Sequence, residues 1–521
     1  MNDKQPRSKP TNFLEIHAGN HPDKTAFIGL EQSFTYGELR QRARVLAKNL
    51  YKLGIRPGEQ IAMMSYNMPE CPQVSNALVY LEVGLVNVGY LMQPPEIEYI
   101  VDNSDSKVII FWHEFADRIL PYKDKYKKVL PGGFISFGGP AADGAVEFES
   151  LFDASVKMDL DGLPPAEKAG NAMIYTSGTT GRPKGAARST DFVNRPGVMD
   201  YLFTTINFLN MTPDEVHLVC CPLYHSAPSY FANVTFILGG TTVYQPRFDP
   251  KQFLEMVEKY KITSTHLVPT MVTRLLNLPE DVTGSLDHTS LRSAVCGAAP
   301  LFPEYKLAFM DRFGPCLHEY YGSTETGLNT FISPEEIRQR PSSVGKAFAD
   351  NELKIVDVMG DELPDGERGV LYVYNAIMMD GYYKNETATK EAYLDKFLTA
   401  GDVAVRDKNG YVHIVDRVKD MIIRGGVNIY PAEIEEALNT MPAVMDAAVV
   451  GKSDRELGET VAAFIVLHAG EQASEKDVQI YCEDKLASYK IPSTIIFMDD
   501  IPRTPTGKIL KRKLRETLEG V

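Results

Sequence analysis

Two hydrophobic rhythms take turns along residues 1–160. Phe34-Thr-Tyr-Gly-Glu-Leu-Arg40 opens an amphipathic pattern that runs through Leu50, the signature of a helix with one buried face. Gln60-Ile-Ala-Met-Met64 then reads as a strand. The alternation returns with strand-like Val216 to Leu223, helix-like Gln252 to Tyr260, and strand-like Ser264 to Val268 and Ser293-Ala-Val-Cys296, which predicts a layered α/β body. From Glu352 the rhythm changes. Glu352-Leu-Lys-Ile-Val356, Gly369-Val-Leu-Tyr-Val373 and Tyr411-Val-His-Ile-Val415 are short strands flanked by Gly, Asp or Asn, and they predict a small β-rich subdomain. The charged run Asp416-Arg-Val-Lys-Asp420 precedes a new strand and helix pattern that includes Ala447-Ala-Val-Val450 and Val461-Ala-Ala-Phe-Ile-Val466. The domain boundary is placed there, with an N-terminal domain of residues 1–416 and a small α+β domain of residues 417–521. No internal repeat interrupts this layout, and the basic stretch Lys508 to Arg515 reads as a solvated helix face.

Composition narrows the class. A chain of 521 residues, 44% hydrophobic, exceeds what one core supports, so a multidomain enzyme is the default. The formal net charge of -15 argues against broad nucleic-acid or anionic-membrane binding, which would need a basic surface. No apolar run reaches the roughly 18 residues that span a bilayer, and no early segment has the layout of a signal peptide. The cytoplasm is therefore the expected location. Six cysteines are spread without a C-x-x-C pair or metal-ligand spacing to histidine, and Cys220-Cys221 lies in an apolar stretch, so buried free thiols are expected.

One loop carries chemistry on its face. Tyr175-Thr-Ser-Gly-Thr-Thr-Gly-Arg-Pro-Lys-Gly185 packs glycines, hydroxyls and a lysine into eleven residues. Glycines let backbone N–H groups close around phosphate oxygens, hydroxyls add donors, and Lys184 supplies a point charge for a polyphosphate. It is not a Walker loop, because Pro183 precedes Lys184 and Gly185 follows it.

At this loop the sequence resembles the adenylate-forming superfamily of acyl-CoA synthetases, luciferases and peptide-synthetase adenylation domains, and its wording is closest to fatty-acyl-CoA ligases. The likeness extends over nearly the whole chain, because further blocks follow in the family's order. They are Pro222-Leu-Tyr-His225, Gly297-Ala-Ala-Pro300, Tyr321-Gly-Ser-Thr-Glu325, Ser343-Val-Gly345, Gly401-Asp402, Asp416-Arg-Val-Lys-Asp420 and Pro505-Thr-Gly-Lys508. The resemblance implies an ATP-dependent acid–thiol ligase that makes an acyl-adenylate and passes the acyl group to coenzyme A, with Mg²⁺ required. Its implied partners are a small carboxylic acid, ATP and coenzyme A, and a homodimer is left open.

The blocks have physical roles of their own. Joining a carboxylate to the α-phosphate of ATP brings two anions together, so catalysis is mainly positioning and charge neutralisation. Thr176, Ser177, Gly178, Thr179, Thr180, Gly181 and Lys184 form the phosphate grip. Glu325 is the candidate for Mg²⁺, with hydroxyls from Thr324 and Thr180 beside it. Standing alone, Ser-Thr-Glu would mark a helix N-terminus, and it is expected to serve as one here too. Glu319, Tyr320, Tyr321 and Gly322 belong to the nucleotide block, Tyr321 as a stacking face for adenine and Gly297, Ala298, Ala299 and Pro300 as a small-residue wall. Asp402 and Arg417 resemble the residues that hold the ribose hydroxyls. The family's threonine immediately before this Gly-Asp is replaced by Thr399-Ala400, which displaces a hydroxyl by one residue. Lys508 resembles the catalytic lysine that bridges carboxylate and phosphate, and Lys419 matches the hinge of a mobile C-terminal domain. His225 falls at the mouth of the acyl pocket. Arg424, Gly425 and Gly426 are candidates for the coenzyme A channel.

The acid is less legible. Tyr224-His225-Ser-Ala-Pro replaces the segment with which adenylation domains hold an ammonium group, so an α-amino acid is disfavoured. Ser229-Tyr-Phe-Ala-Asn-Val-Thr-Phe-Ile-Leu238 is apolar and aromatic, which suits a fatty, alicyclic or aryl acid. A ligase loading a carrier protein and a luciferase-type oxygenase share the ATP motifs and remain alternatives.

Overall fold

The computed structural model describes residues 11–163, 170–176, 183–503 and 509–519. Two large sheets make up the body. In one, nine strands lie in the order Lys346–Ala347, Gly327–Ile332, Leu317–Ser323, Ser293–Cys296, Ser264–Leu267, Val216–Val219, Thr241–Tyr244, Thr25–Ile28 and Ser33–Thr35. From Leu317–Ser323 across to Thr25–Ile28 the pairing is parallel. Strands of such a sheet are covered on both faces, and every residue of Ser264–Leu267 and Ser293–Cys296 is buried. The other sheet has eight strands, in the order Gly381–Tyr382, Lys184–Ser189, Asn171–Thr176, Gly84–Val88, Gln60–Met64, Ser106–Trp112, Phe134–Phe137 and Val146–Glu147. Its first two pairings are antiparallel and the rest parallel.

The expected helix from Phe34 is Tyr36–Leu53, preceded by the short strand Ser33–Thr35. A capping box fixes its start: the Glu38 amide donates to the Thr35 hydroxyl and the Thr35 amide to the Glu38 carboxylate. The β-rich region is a six-stranded sheet in which Arg368–Tyr374 is flanked by Glu352–Val356, Phe397–Leu398 and Asp402–Arg406, and Asp402–Arg406 pairs on to Val412–Arg417. A separate five-stranded sheet begins at Ile422–Arg424 and is built around the long hairpin Val444–Asp454 and Gly458–Leu467. The chain crosses between these two sheets in the turn that holds Lys419. The basic stretch ends differently from its reading as a solvated face: in the helix Lys511–Glu519, Leu514 is buried against Ala448, Val450 and Phe464, and Lys511 pairs with Glu435 at 2.8 Å. One apolar residue per turn is enough to dock a helix that is charged elsewhere. No helix among the described residues is long and apolar enough to cross a membrane.

A buried ion pair and a buried carboxyl shape the body. Lys306, in the first turn of the helix Pro303–Phe313, forms a closed ion pair with Glu319, and its ammonium also donates to the Ser343 carbonyl at 3.2 Å. Ser343 in turn donates to Val412, so this lysine links the parallel sheet to the β-rich sheet. Glu70 opens the helix Glu70–Leu81 with one oxygen buried and unpartnered, and burial lifts its carboxyl from 4.5 to about 6. A carboxyl raised on folding stabilises the fold below its unfolded pKa and loses that contribution as pH rises through the folded value. Glu70→Gln is therefore expected to stabilise the protein by up to about 2 kcal/mol above pH 6 and to leave it unchanged below pH 4.5, read as urea midpoints at the two pH values.

Candidate active site

The strands Asn171–Thr176 and Lys184–Ser189 pair as an antiparallel hairpin. Thr176 and Lys184 are its last paired residues, and the tip residues Ser177, Gly178, Thr179, Thr180 and Gly181 lie outside the described residues, as does Lys508. The base of the hairpin is braced. The Tyr175 hydroxyl donates to Asn103 at 2.6 Å, and its ring lies so close over Gly185 that a Cβ there would sit 3.0 Å from it.

Glu325 faces this hairpin. It stands in the tight connection between the antiparallel strands Leu317–Ser323 and Gly327–Ile332, so Ser-Thr-Glu is a β-turn element and not the helix N-terminus that its composition suggested. The reason is tertiary: pairing of Gly322 with Leu328 closes a hairpin before a helical turn can form. Glu325 is 9% exposed, and its Oε1 accepts from Thr176 at 3.2 Å and from the Tyr382 hydroxyl at 3.0 Å. Oε2 has no partner among the described residues. Lys184 places its ammonium 5.0 Å from the centre of the Tyr382 ring, on the same side of the site. Behind the turn, the half-buried Arg188 donates to the carbonyls of Thr324 at 2.7 Å and Ile377 at 2.9 Å. Burial lowers its pKa to about 10, which still leaves it charged at neutral pH. Tyr382 and Arg188 were not anticipated from sequence, because their roles depend on a strand pairing, Gly381–Tyr382 on Lys184–Ser189, between segments nearly two hundred residues apart.

A second group lies along the same cleft. Asp402 and Arg417 are cross-strand partners, with Arg417 Nε donating to Oδ1 at 3.0 Å, and the Tyr321 hydroxyl donates to Oδ2 at 2.6 Å. Asp402 pushes the guanidinium's pKa up. Tyr321 was expected only as a stacking face; the structure adds a hydroxyl held by Asp402, which anchors the far end of the ring. The displaced Thr399 turns inward, donating to the Leu371 carbonyl and accepting from the Gly401 amide, so it shapes the turn before Asp402.

Gly297 to Pro300 follow the strand Ser293–Cys296, and Ala298 adopts a left-handed backbone at φ 71°. Gly297 is required sterically: a Cβ would lie 2.4 Å from the Tyr320 ring. Glu319 is spent on Lys306 beneath the site, where burial raises its pKa. His225 precedes the helix Ser226–Leu238 with its ring 4.2 Å from that of Tyr224. Ser226 and Thr324 bring their hydroxyls to 3.3 Å across the cleft.

Thr176, His225, Tyr321, Thr324, Asp402 and Arg417 line one cleft of about 2460 Å³ that also takes in residues of the C-terminal domain, among them Glu435, Asp446 and Lys511, and Glu325 stands beside it, bonded to Thr176. Arg424, Gly425 and Gly426 are not brought to it. They form the tip of the hairpin Ile422–Arg424 and Val427–Ile429, where both glycines have positive φ. Mg²⁺ is ordinarily held by one or two carboxylates plus substrate phosphates, and Glu325 offers one such carboxylate oxygen. Glu325 Oε2 is the oxygen available for that purpose.

Residues 14–383 match the AMP-binding enzyme family and residues 433–508 match the AMP-binding enzyme C-terminal domain. The mitochondrial medium-chain acyl-CoA ligase ACSF2 of Mus musculus is 31% identical over 544 residues, spanning 97% of this chain and 87% of that protein. A feruloyl-CoA synthase from Amycolatopsis sp is 31% identical over 499 residues, spanning 95% of this chain and 96% of that one. Among solved structures, ATP-bound MatB from Rhodopseudomonas palustris superposes with a TM-score of 0.85 at 29% identity, over 97% of this chain and 98% of that chain.

Proposed function

Because the chain belongs to the AMP-binding enzyme family and is an AMP-forming acyl-CoA synthetase, we propose that a fatty, alicyclic or aryl carboxylic acid is its substrate and that the cleft beside Glu325 is where the acid meets ATP. The observation that carries this placement is the convergence of Thr176, Glu325 and Tyr382 on one side with Tyr321, Asp402 and Arg417 on the other. A carboxylate oxygen attacks the α-phosphorus, and pyrophosphate leaves with the electrons of the broken P–O bond. The coenzyme A sulfur then attacks the acyl carbonyl, AMP departs, and the thiol proton is released. Glu325 would hold Mg²⁺, which supplies charge neutralisation for the phosphates. Asp402 accepts the ribose hydroxyls once Arg417 and Tyr321 have fixed its orientation. Lys508, from the second domain, neutralises the approaching carboxylate. Residues 417–521 turn about Lys419 between the two half-reactions, and the exposed turn holding Lys419 suits that role. The cytoplasm suits a chain whose six cysteines are all free thiols.

A panel of fatty, alicyclic and aryl acids assayed for AMP release tests acid and acceptor together. Release that rises on adding coenzyme A is the expected result. Release that ignores coenzyme A for every acid would overturn the thioester step.

A further inference from the structure

The two donors to Glu325 Oε1, Thr176 and Tyr382, each have a tyrosine beside them that is tied to one short segment elsewhere in the chain. The Tyr175 hydroxyl donates to Asn103 at 2.6 Å, and the Tyr383 hydroxyl donates to Asp105 at 2.8 Å. Successive side chains of an extended chain point to opposite faces, so one face of these segments addresses Glu325 while the other is held by residues 103–105. Lys384 adds an ion pair with Asp105 at 2.7 Å and a hydrogen bond to the Asn103 carbonyl at 2.9 Å. Lys128 completes the group, 2.6 Å from Asp105. In the eight-stranded sheet, Lys184–Ser189, Asn171–Thr176, Gly84–Val88 and Gln60–Met64 lie between Gly381–Tyr382 and Ser106–Trp112. Asp105 immediately precedes Ser106–Trp112, so it ties the edge of the sheet to its interior.

That edge needs support. Gly381–Tyr382 is a two-residue edge strand, and so short a ladder leaves the direction of its side chains to whatever holds its flanks. Before it, Asp380 accepts from the Ser189 amide at 2.8 Å and pairs with Arg195. After it, the Tyr383 amide donates to the Gly185 carbonyl at 2.8 Å, and the side chains of Tyr383 and Lys384 both reach Asp105. A solvent-facing ion pair alone fixes little. Here a hydroxyl and two ammonium groups share one half-buried carboxylate. Both ends of the Asp105–Lys384 pair also hold left-handed backbones, at φ 59° and φ 54°. That region is free to glycine and disfavoured for a side chain, so side chains kept there point to the contacts they make.

We infer that Asp105 is a positioning residue for adenylation: by fixing Tyr383 and Lys384 it sets the place of Tyr382, and Tyr382 with Thr176 directs the second oxygen of Glu325 toward Mg²⁺ and the ATP phosphates. Asp105 acts through Tyr382 and not on the nucleotide itself. This role rests on the assignment of Glu325 to the metal and phosphates.

Isothermal titration of the full-length enzyme, with ATP in the presence of Mg²⁺ and separately with AMP, tests it without any carboxylic acid. AMP lacks the β- and γ-phosphates, so it reads the Asp402 and Arg417 end of the site alone. Asp105→Gly removes the carboxylate from a backbone that glycine adopts freely. It is expected to weaken Mg²⁺–ATP binding about fivefold to tenfold while AMP binding stays within about twofold. Asp105→Asn keeps an acceptor for the Tyr383 hydroxyl and should recover most of the affinity. Glu325→Gln should weaken Mg²⁺–ATP binding by at least as much as Asp105→Gly, and combining the two should add no further loss, because both act on one carboxylate. Equal weakening for ATP and AMP in Asp105→Gly, or additive losses in the double variant, would make Asp105 a general framework residue and overturn the positioning role. Wild-type Mg²⁺–ATP affinity in Asp105→Gly beside a weakened Glu325→Gln would overturn it too, with the phosphate site left intact. Wild-type affinity in Glu325→Gln would instead overturn the phosphate-site assignment, and the role of Asp105 with it.

Discussion

Glutamine in place of Glu325 is expected to slow acid-dependent ATP–pyrophosphate exchange by about 10²–10³-fold without unfolding the protein. The geometry isolates the charge as the quantity removed. The two donors to Glu325, from Thr176 and Tyr382, both address Oε1, and a glutamine carbonyl can accept both. The backbone hydrogen bond from the Met379 amide to the Glu325 carbonyl at 2.8 Å, and the Arg188 clamp on Thr324, do not involve the carboxylate. Glu325→Gln therefore keeps the turn and loses one negative charge at the phosphates. Raising Mg²⁺ should recover part of the rate if that charge serves to hold the ion. Tyr382→Phe, which removes one orienting hydrogen bond and no charge, is expected to cost about tenfold. Exchange at the wild-type rate in Glu325→Gln, with an unchanged thermal midpoint, would remove Glu325 from the phosphate site.

Replacing Lys306 by methionine should destabilise the protein by about 3–5 kcal/mol, the usual consequence of leaving a buried carboxylate without its partner. The side chains of Lys306 and Glu319 are only 2% and 3% exposed, so water cannot take the lysine's place. The loss also severs the hydrogen bond to Ser343 that ties the β-rich sheet to the body. The double variant Lys306→Met with Glu319→Leu should regain most of the stability, because two apolar side chains of similar volume remove the desolvation penalty along with the pair. Urea denaturation of the single and double variants reads both effects. A single variant as stable as the wild type would mean that Glu319 is protonated or solvated in the native state. Because Glu319 was expected to contact the nucleotide, the double variant also separates its roles: exchange that returns with stability assigns Glu319 to the framework beneath the site.

Local pattern was sufficient for much of the architecture. Gln60–Met64, Ser293–Cys296 and Glu352–Val356 have as strands the bounds that their apolar runs suggested, and Pro250–Tyr260 is helical as its periodicity required. Each is short, and the period of its side chains decides which face is buried. The loop at Tyr175 to Gly185 could be read as a phosphate grip because its chemistry is contiguous, and so could the adjacency of Gly401 and Asp402. What the sequence determined by itself, then, is the class of fold, the order of the blocks and the residues that sit next to one another in the chain. The tertiary structure decided everything that depends on long-range pairing. Tyr382 reaches Glu325 only because Gly381–Tyr382 adds to the edge of the Lys184–Ser189 hairpin. The Ser-Thr-Glu triplet is a hairpin turn only because Gly327–Ile332 returns along Leu317–Ser323. Lys306 finds Glu319, and His266 finds Tyr320 across the intervening strand Ser293–Cys296, at separations along the chain that carry no periodic signal. A buried polar group must be paired, but the sequence does not say with what; the partner is chosen by the packing that removes both from water.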